Sequence, residues 1–388
     1  MNHFKLFYLI YFIIYCTKHL FYQNHSYLLF ELITIHNLIL KPTYVILDPL
    51  TELKNWIPAP LPHYPPPQIY PVTKVNDLSP IQDSCINDSN PEPPTVINFL
   101  TDALVFKNGN IATSTFFYKN VIKIPFTDKL DPIHEFTTDK YEIIEQAIPF
   151  FHPYLRCYYH FLIEMFPLLL IYDQKTIENS VLLHNSLPKN HFNELISILN
   201  LKFKRTLCVG NPVFVKKLFI PIPHPFDRCH INAVRHFRYL ILKKYNAEDL
   251  EATQNVYYNR PRNRLILNFD ELKKELKNKL PDVKFITPTE NNIKEQVIFW
   301  RKTKFGMAVH GSIAVNTVFM HQNTAYLEFC IRQCRSAYIR LCKSLGIHLF
   351  EMKFRNHCLN RSMYADIPEV ISTVKFILKM LETQNLKL

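Results

Sequence analysis

Between residues 264 and 351 short apolar runs alternate with amphipathic ones at nearly constant spacing. Residues 264–267, 283–287, 305–309, 325–329 and 347–351 read as strands. Residues 269–279, 290–302, a run from Ser312 to Met320 and residues 336–345 read as helices, with Thr289 as the cap before the second. Strand and helix in strict alternation close most readily as βαβ units around a parallel sheet. Ligands of such sheets bind outside the carboxyl ends of the strands, and His310 and Glu328 fall at or near strand ends.

The preceding half reads as a second α/β unit with irregular opening strands. Runs at 103–106, 114–118 and 121–124 lead to a long apolar helix at 158–172, then a strand at 181–184 and a helix at 191–199. Strand-like residues 207–209 and 217–220 precede a basic helix at 231–245. Upstream, residues 57–67 carry six prolines and suit an extended spacer. An apolar run at 6–16 follows Lys5, so the positive-inside rule leaves the rest of the chain across the membrane. Small residues for a cleavage site are missing there, since the first alanine is Ala59, and an uncleaved signal anchor is expected over a cleaved signal.

The expected organisation is a cytosolic tip and anchor at 1–25, a Pro-rich stem at 26–95, α/β halves at 96–246 and 247–365, and a helix at 366–388 crossing back over the first half. Asn24, Asn87 and Asn360 fit the N-glycosylation pattern. Of nine cysteines, eight remain once Cys16 in the apolar run is set aside, a number that permits disulfides in an oxidising compartment. No C-x-x-C pair occurs, and Cys330 and Cys334 have no matching histidine pair, which argues against structural zinc. Lysine and arginine exceed acidic residues by 45 − 33 = 12, but they are scattered, so a solvated basic surface is expected and no nucleic-acid partner.

Three groupings carry chemistry. Only five glycines occur in 388 residues, and Gly306 and Gly311 both fall within residues 303–320. His310-Gly311-Ser312 reads as a tight turn with Ser312 as helix N-cap, an arrangement that aims backbone N–H groups at a phosphate; an ordinary βα connection is the other reading. His160 and Glu164 share a helical face, fitting either a base with its orienting carboxylate or two boundary residues of a buried helix. Arg260, Arg262 and Arg264 suit a diphosphate or form a solvated basic loop.

In this order the groupings resemble glycosyltransferase family 61, which includes plant xylosyltransferases and animal O-linked N-acetylglucosaminyltransferases. The resemblance rests on Tyr159-His160-Phe161 running to Pro167, on Arg260 to Asn268 with Glu271-Leu272, and on Glu295-Gln296-Val297. It continues with His310-Gly311-Ser312-Ile313-Ala314-Val315-Asn316, Phe319-Met320 and a strand carrying Glu328. It covers residues 158–346 and implies a GT-B architecture, two Rossmann-like domains facing a cleft, with inverting transfer of GlcNAc or xylose from a UDP-sugar to a glycoprotein or glycan hydroxyl. It further implies His160 as base oriented by Glu164, and Arg260 and Arg264 on the leaving group. The phosphates would meet His310, Gly311 and Ser312, and the ribose or base Asn316 and Glu328. The place of action would be the Golgi or endoplasmic reticulum membrane, in type II orientation.

The chain lacks an Asp-x-Asp triplet, so metal-independent chemistry without a cofactor is expected. Where the family turn has a second glycine this chain has Ile313, a β-branched residue unsuited to positive φ. A catalytically inactive lumenal protein binding glycan or nucleotide is the alternative. A hydrolase built on His160 and Glu164 lacks a Gly-x-Ser-x-Gly nucleophile.

Overall fold

The computed structural model of the protein describes residues 45–47, 70–72, 97–112, 117–118, 142–221, 229–289, 292–330, 336–353 and 362–385. The apolar leader, most of the stem, residues 121–124 and the three sequon asparagines Asn24, Asn87 and Asn360 fall outside the described residues. None of the described helices is long and apolar enough to cross a membrane.

Two sheets organise the described residues. The first contains β1 (Val45–Leu47), β3 (Ile97–Val105), β4 (Ile111–Ala112), β5 (Phe117–Tyr118), β6 (Glu142–Phe150), β7 (Val181–His184), β8 (Arg205–Cys208) and β9 (Val213–Pro221). Its order is β5-β4-β3-β9-β6-β7-β8, with β1 alongside β3. The four strands β9, β6, β7 and β8 run parallel, while β1, β3, β4 and β5 pair antiparallel. All four residues of β7 are buried, as expected of a parallel strand covered on both faces.

The second sheet has the order β11-β10-β12-β13-β14-β2, from β2 (Tyr70–Val72), β10 (Gln254–Tyr258), β11 (Phe285–Ile286), β12 (Thr303–Val309), β13 (Ala325–Cys330) and β14 (His348–Lys353). Every pairing in it is parallel. From β10 the chain passes outward to β11 and returns on the other side of β10 as β12, so the strand order reverses between β10 and β12. The helices are α1 (Gln174–Asn179), α2 (Lys189–Ile198), α3 (Ile231–Lys244), α4 (Phe269–Lys279), α5 (Ile293–Arg301), α6 (Ser336–Leu345) and α7 (Ile367–Asn385). A mixed α/β fold with parallel sheets thus agrees with the sequence reading.

Four local expectations are corrected. Residues 264–267 are not a strand: Arg264 has φ 61°, which extended chain cannot accommodate, and Ile266 makes only an isolated bridge to Met363. The strands of the second half begin instead with β10, whose opening Gln254-Asn255 hides it from a search for apolar runs. The apolar stretch from Tyr158 is no single helix but a π-helical turn, His160–Met165, followed by a 3-10 turn, Phe166–Ile171. Pro167 is the physical reason, because it has no N–H to continue the α-helical ladder and its ring forces the turn before it to widen.

The cap of α5 is Asn292, whose Oδ1 accepts from Glu295 N at 2.8 Å, in place of Thr289. Glu194 of α2 completes that cap from the other half of the chain, accepting from Ile293 N at 2.9 Å and Lys294 N at 2.8 Å. Finally α7 does not cross back over the first half. Its Val370, Val374, Ile377 and Leu381 belong to one core with Leu272 and Leu276 of α4 and with residues of β12, β13 and β14.

The opposite face of the second sheet faces a larger core that does not respect the two halves. Ile148, Phe161, Phe166 and Phe237 of the first half join Trp300, Val315, Phe319, Tyr326 and Leu349 of the second in it. Gly306 serves this core, since a Cβ there would press on Tyr326 and Trp300 at 3.1 and 3.2 Å. Part of the basic surplus also turns inward. Arg238 donates to Met320 O at 2.7 Å, Arg235 to Ser344 O at 2.7 Å and Arg301 to Glu248 O at 2.7 Å, satisfying carbonyls at or beside helix ends.

Candidate functional site

The reversal of strand order between β10 and β12 marks where an open parallel sheet leaves a crevice above its carboxyl ends. Beyond β10 come Asn259 and Arg260; beyond β12 come His310 and Gly311. Asn259 fixes the first loop, its Nδ2 donating to Ile266 O and its Oδ1 accepting from Ile266 N, both at 2.9 Å. Arg260 lies across the second loop and donates from Nη1 to His310 O at 3.3 Å. Asn263 holds the same guanidinium through its carbonyl and Oδ1, each at 3.1 Å.

Gly311 makes this approach possible. A Cβ at that position would run into the Arg260 guanidinium, lying 3.1 Å from Cζ. The backbone itself is extended there, so the glycine is required for room, not for conformation. Gly311, not Ser312, stands at the N-cap position of the following 3-10 turn, Ser312–Phe319. Ser312 makes no capping bond; its Oγ lies 3.4 Å from Cys157 Sγ.

Beneath the turn His310 Nδ1 is 2.8 Å from Glu328 Oε1. The Glu328 side chain is wholly buried and the imidazole only a quarter exposed. Tyr338 of α6 donates to Gly311 O at 2.9 Å, and its ring meets the His310 ring edge-on at 5.6 Å. Arg262 points to solvent, and Arg264 is half-buried. Five non-glycine residues among those described have positive φ; four are Asn or Asp, and the other is Arg264.

The second cluster sits past the carboxyl end of β6 of the first sheet. Glu164 Oε2 lies 2.6 Å from His160 Nδ1 and 3.2 Å from His152 Nε2, and the two imidazoles stack at 4.4 Å. All three residues are buried. Burial alone pushes the Glu164 carboxyl up, but hydrogen bonds and charge from His152 and His160 outweigh it and hold the group below its ordinary value. An ionised Glu164 keeps the proton of His160 on Nδ1, so the lone pair of the neutral ring is on Nε2.

His152, Glu164 and His160 could also be read as a metal site, since their ligand atoms lie within 4.8 Å of one another. The tautomer of His152 opposes this. Its Nδ1 accepts from Tyr154 N at 3.0 Å, which places its own proton on Nε2, the nitrogen that a metal would need unprotonated. A second such cluster, His310, Glu328 and Cys330, loses its thiolate because Cys330 is disulfide-bonded.

The π-helical turn and the switch-point loop meet. Besides the Cys157 to Ser312 contact, Tyr158 donates to Asn316 Oδ1 at 3.2 Å. The Tyr159 ring stands edge-on to His160 and to Tyr338, each at 5.2 Å, and Tyr338 in turn contacts His310. His160, Glu164, Arg260, His310, Gly311, Ser312 and Glu328 are therefore linked by a continuous set of contacts. Asn316 is fully buried behind it as a fastener between the two halves. Ile313 takes no positive φ, so the strain expected of a β-branched residue in the turn is absent.

Sequence reasoning missed His152 and Tyr338, and named Tyr159 only as part of the motif Tyr159-His160-Phe161. A histidine two residues past a strand end was the only signal for the first. Tyr338 carried none, since what matters is its contact with Tyr159 across 179 positions, 338 − 159.

A histidine backed by a buried carboxylate stands beside an arginine-braced loop at the switch point of a parallel sheet in an α/β fold. The family model described as Glycosyltransferase 61 matches residues 158–327, and this match supports membership of that family and glycosyltransferase activity. The matched segment runs from the start of the π-helical turn into β13 and holds every motif on which the resemblance rests except Glu328. No curated protein matches the chain.

Proposed function

We propose that the protein transfers a sugar, GlcNAc or xylose, from a UDP-sugar to a glycan or glycoprotein hydroxyl with inversion at the anomeric carbon, using two Rossmann-like halves in a GT-B arrangement. One observation carries the reading: the Tyr159 and Tyr338 contact that sets the His160 and Glu164 pair beside the Arg260, His310 and Gly311 loop. A single displacement needs a base on one side of the anomeric carbon and charge stabilisation on the other, held together.

In the proposed reaction His160 Nε2 takes the proton of the acceptor hydroxyl as its oxygen bonds to the anomeric carbon. Glu164 orients the ring and stabilises the imidazolium, and His152 holds Glu164. On the other side the bond from the anomeric carbon to the diphosphate oxygen breaks. Arg260 and Arg264 meet the departing charge, with Gly311 and Ser312 of the turn supplying backbone N–H groups, while the His310 N–H is held by Phe329 O at 2.9 Å.

The secretory placement, behind an anchor at 1–25 and a stem at 26–95, draws support from the Cys330 disulfide, since such bonds persist in oxidising compartments. The missing Asp-x-Asp triplet and the His152 tautomer support catalysis without a divalent metal.

The test is incubation of the purified lumenal part with a panel of UDP-sugars and measurement of UDP release. Release with one sugar, unaffected by EDTA, is expected. Loss in EDTA restored by Mn²⁺ would overturn metal independence, and nucleotide binding without turnover would leave a binding protein built on the same fold.

A further inference from the structure

Glu328 has a neighbour that no motif contains. In the parallel pairing of β13 and β14 it stands directly opposite Glu351. Adjacent strands lie roughly 4.8 Å apart, and residues in register project from the same face. Both acids are buried, at 0% and 3% exposure. Each also has one oxygen, Glu328 Oε2 and Glu351 Oε1, without a hydrogen-bond partner among the described residues.

Two buried carboxylates so placed ionise together only at a cost, whereas one shared proton satisfies both orphan oxygens. The charges facing Glu351 do not relieve the conflict. Glu328 adds to it from β13, Lys353 opposes it weakly from β14, and Cys342 of α6, itself pushed up by burial, offers no cation.

We propose that Glu351 is a positioning residue of the nucleotide site: it carries the shared proton, donates it to Glu328 Oε2, and so holds Glu328 Oε1 as the acceptor of His310 Nδ1–H. The imidazole beside the Gly311 turn is then fixed in one tautomer with Nε2 toward the site. Burial, and next the charge of Glu328, push the Glu351 carboxyl up to about 7, so the device changes state near neutrality. Loss of the proton leaves two buried anions beneath the loop that is to receive a diphosphate. The inference rests on the nucleotide-site reading above.

Calorimetric titration of UDP into the purified full chain between pH 6.0 and 8.5 tests it, alongside infrared spectra over the same range. Wild type is expected to lose about tenfold in UDP affinity as pH rises, and to show a protonated-carboxyl band at pH 6.0 that fades by pH 8.5. Glu351→Gln, which mimics the protonated acid, should lack the band and flatten the affinity profile. Glu351→Leu, which cannot donate to Glu328, should bind UDP about tenfold more weakly than Glu351→Gln at pH 6.0. A Glu351→Gln profile parallel to wild type, or the absence of the band in wild type, overturns the inference. Failure of wild type to bind UDP at any pH overturns the nucleotide-site reading and the positioning role with it, while the band still decides whether the carboxyls share a proton.

Discussion

Gly311 owes its place to Arg260. Any side chain there displaces the guanidinium that braces the His310 carbonyl, yet the displaced group is the mobile end of a long side chain in a partly open loop. Gly311→Ala is therefore expected to weaken UDP binding about tenfold, roughly 1.4 kcal/mol, while leaving the melting temperature nearly unchanged. Calorimetry and thermal denaturation on one preparation separate the two effects. His152 acts one step further from the chemistry. Removing its hydrogen bond lets burial raise the Glu164 carboxyl, so His152→Ala should shift the acid limb of the pH–rate profile to higher pH, with transfer lost earlier as pH falls. An unshifted acid limb in that variant would mean that His152 does not govern Glu164.

At the scale of elements, α5 is started by two residues from different parts of the chain. Asn292 caps it locally, and Glu194 binds two further N–H groups while also accepting from Tyr245 OH at 3.0 Å. Glu194→Ala leaves these donors unmet, and a loss of about 2 kcal/mol in denaturant unfolding is expected. A neutral result would show that water replaces the carboxylate.

This arrangement also marks where sequence reading stops. The strands β7, β12 and β13 and the helices α4 and α6 were legible because each is a local pattern of apolar spacing or continuous burial. The first strand of the second half was not, because β10 opens with two polar residues whose backbone pairs with β12 regardless. The π-helical turn was hidden by propensity, since its residues are good helix formers and only Pro167 disturbs them. For the site, each motif was visible but its neighbours were not. Glu194 under α5, Tyr338 on Gly311 and Glu351 beside Glu328 are products of register and packing between distant segments.

Across the whole molecule, buried ionisable groups set a pH window for stability. Burial lowers His230 and His236 from 6.5 to about 4, with Arg340 adding to the effect at His230 and the backbone opposing it. Their contribution is present above pH 6.5 and lost as pH falls toward 4. His184 and His321 shift in the same direction, also through burial first. Glu351 works the other way: raised from 4.5 to about 7, its contribution is complete below 4.5 and lost as pH rises through 7. Several histidines outweigh one carboxyl below 6.5 and fall silent above it. Thermal unfolding is expected to be most resistant close to pH 6.5, and a midpoint rising steadily from pH 6.5 to 8 would contradict this balance.

The large core that takes Phe161 and Phe237 from one half and Trp300 and Phe319 from the other has a consequence for anyone dissecting the protein. A cut between residues 246 and 247 follows the boundary suggested by chain order but divides an apolar interior. Each fragment would present an oily wall to water, and neither would keep the π-helical turn against the loop that follows β12. Separation of the halves would open this shared interior, so the described halves are expected to behave as a single block.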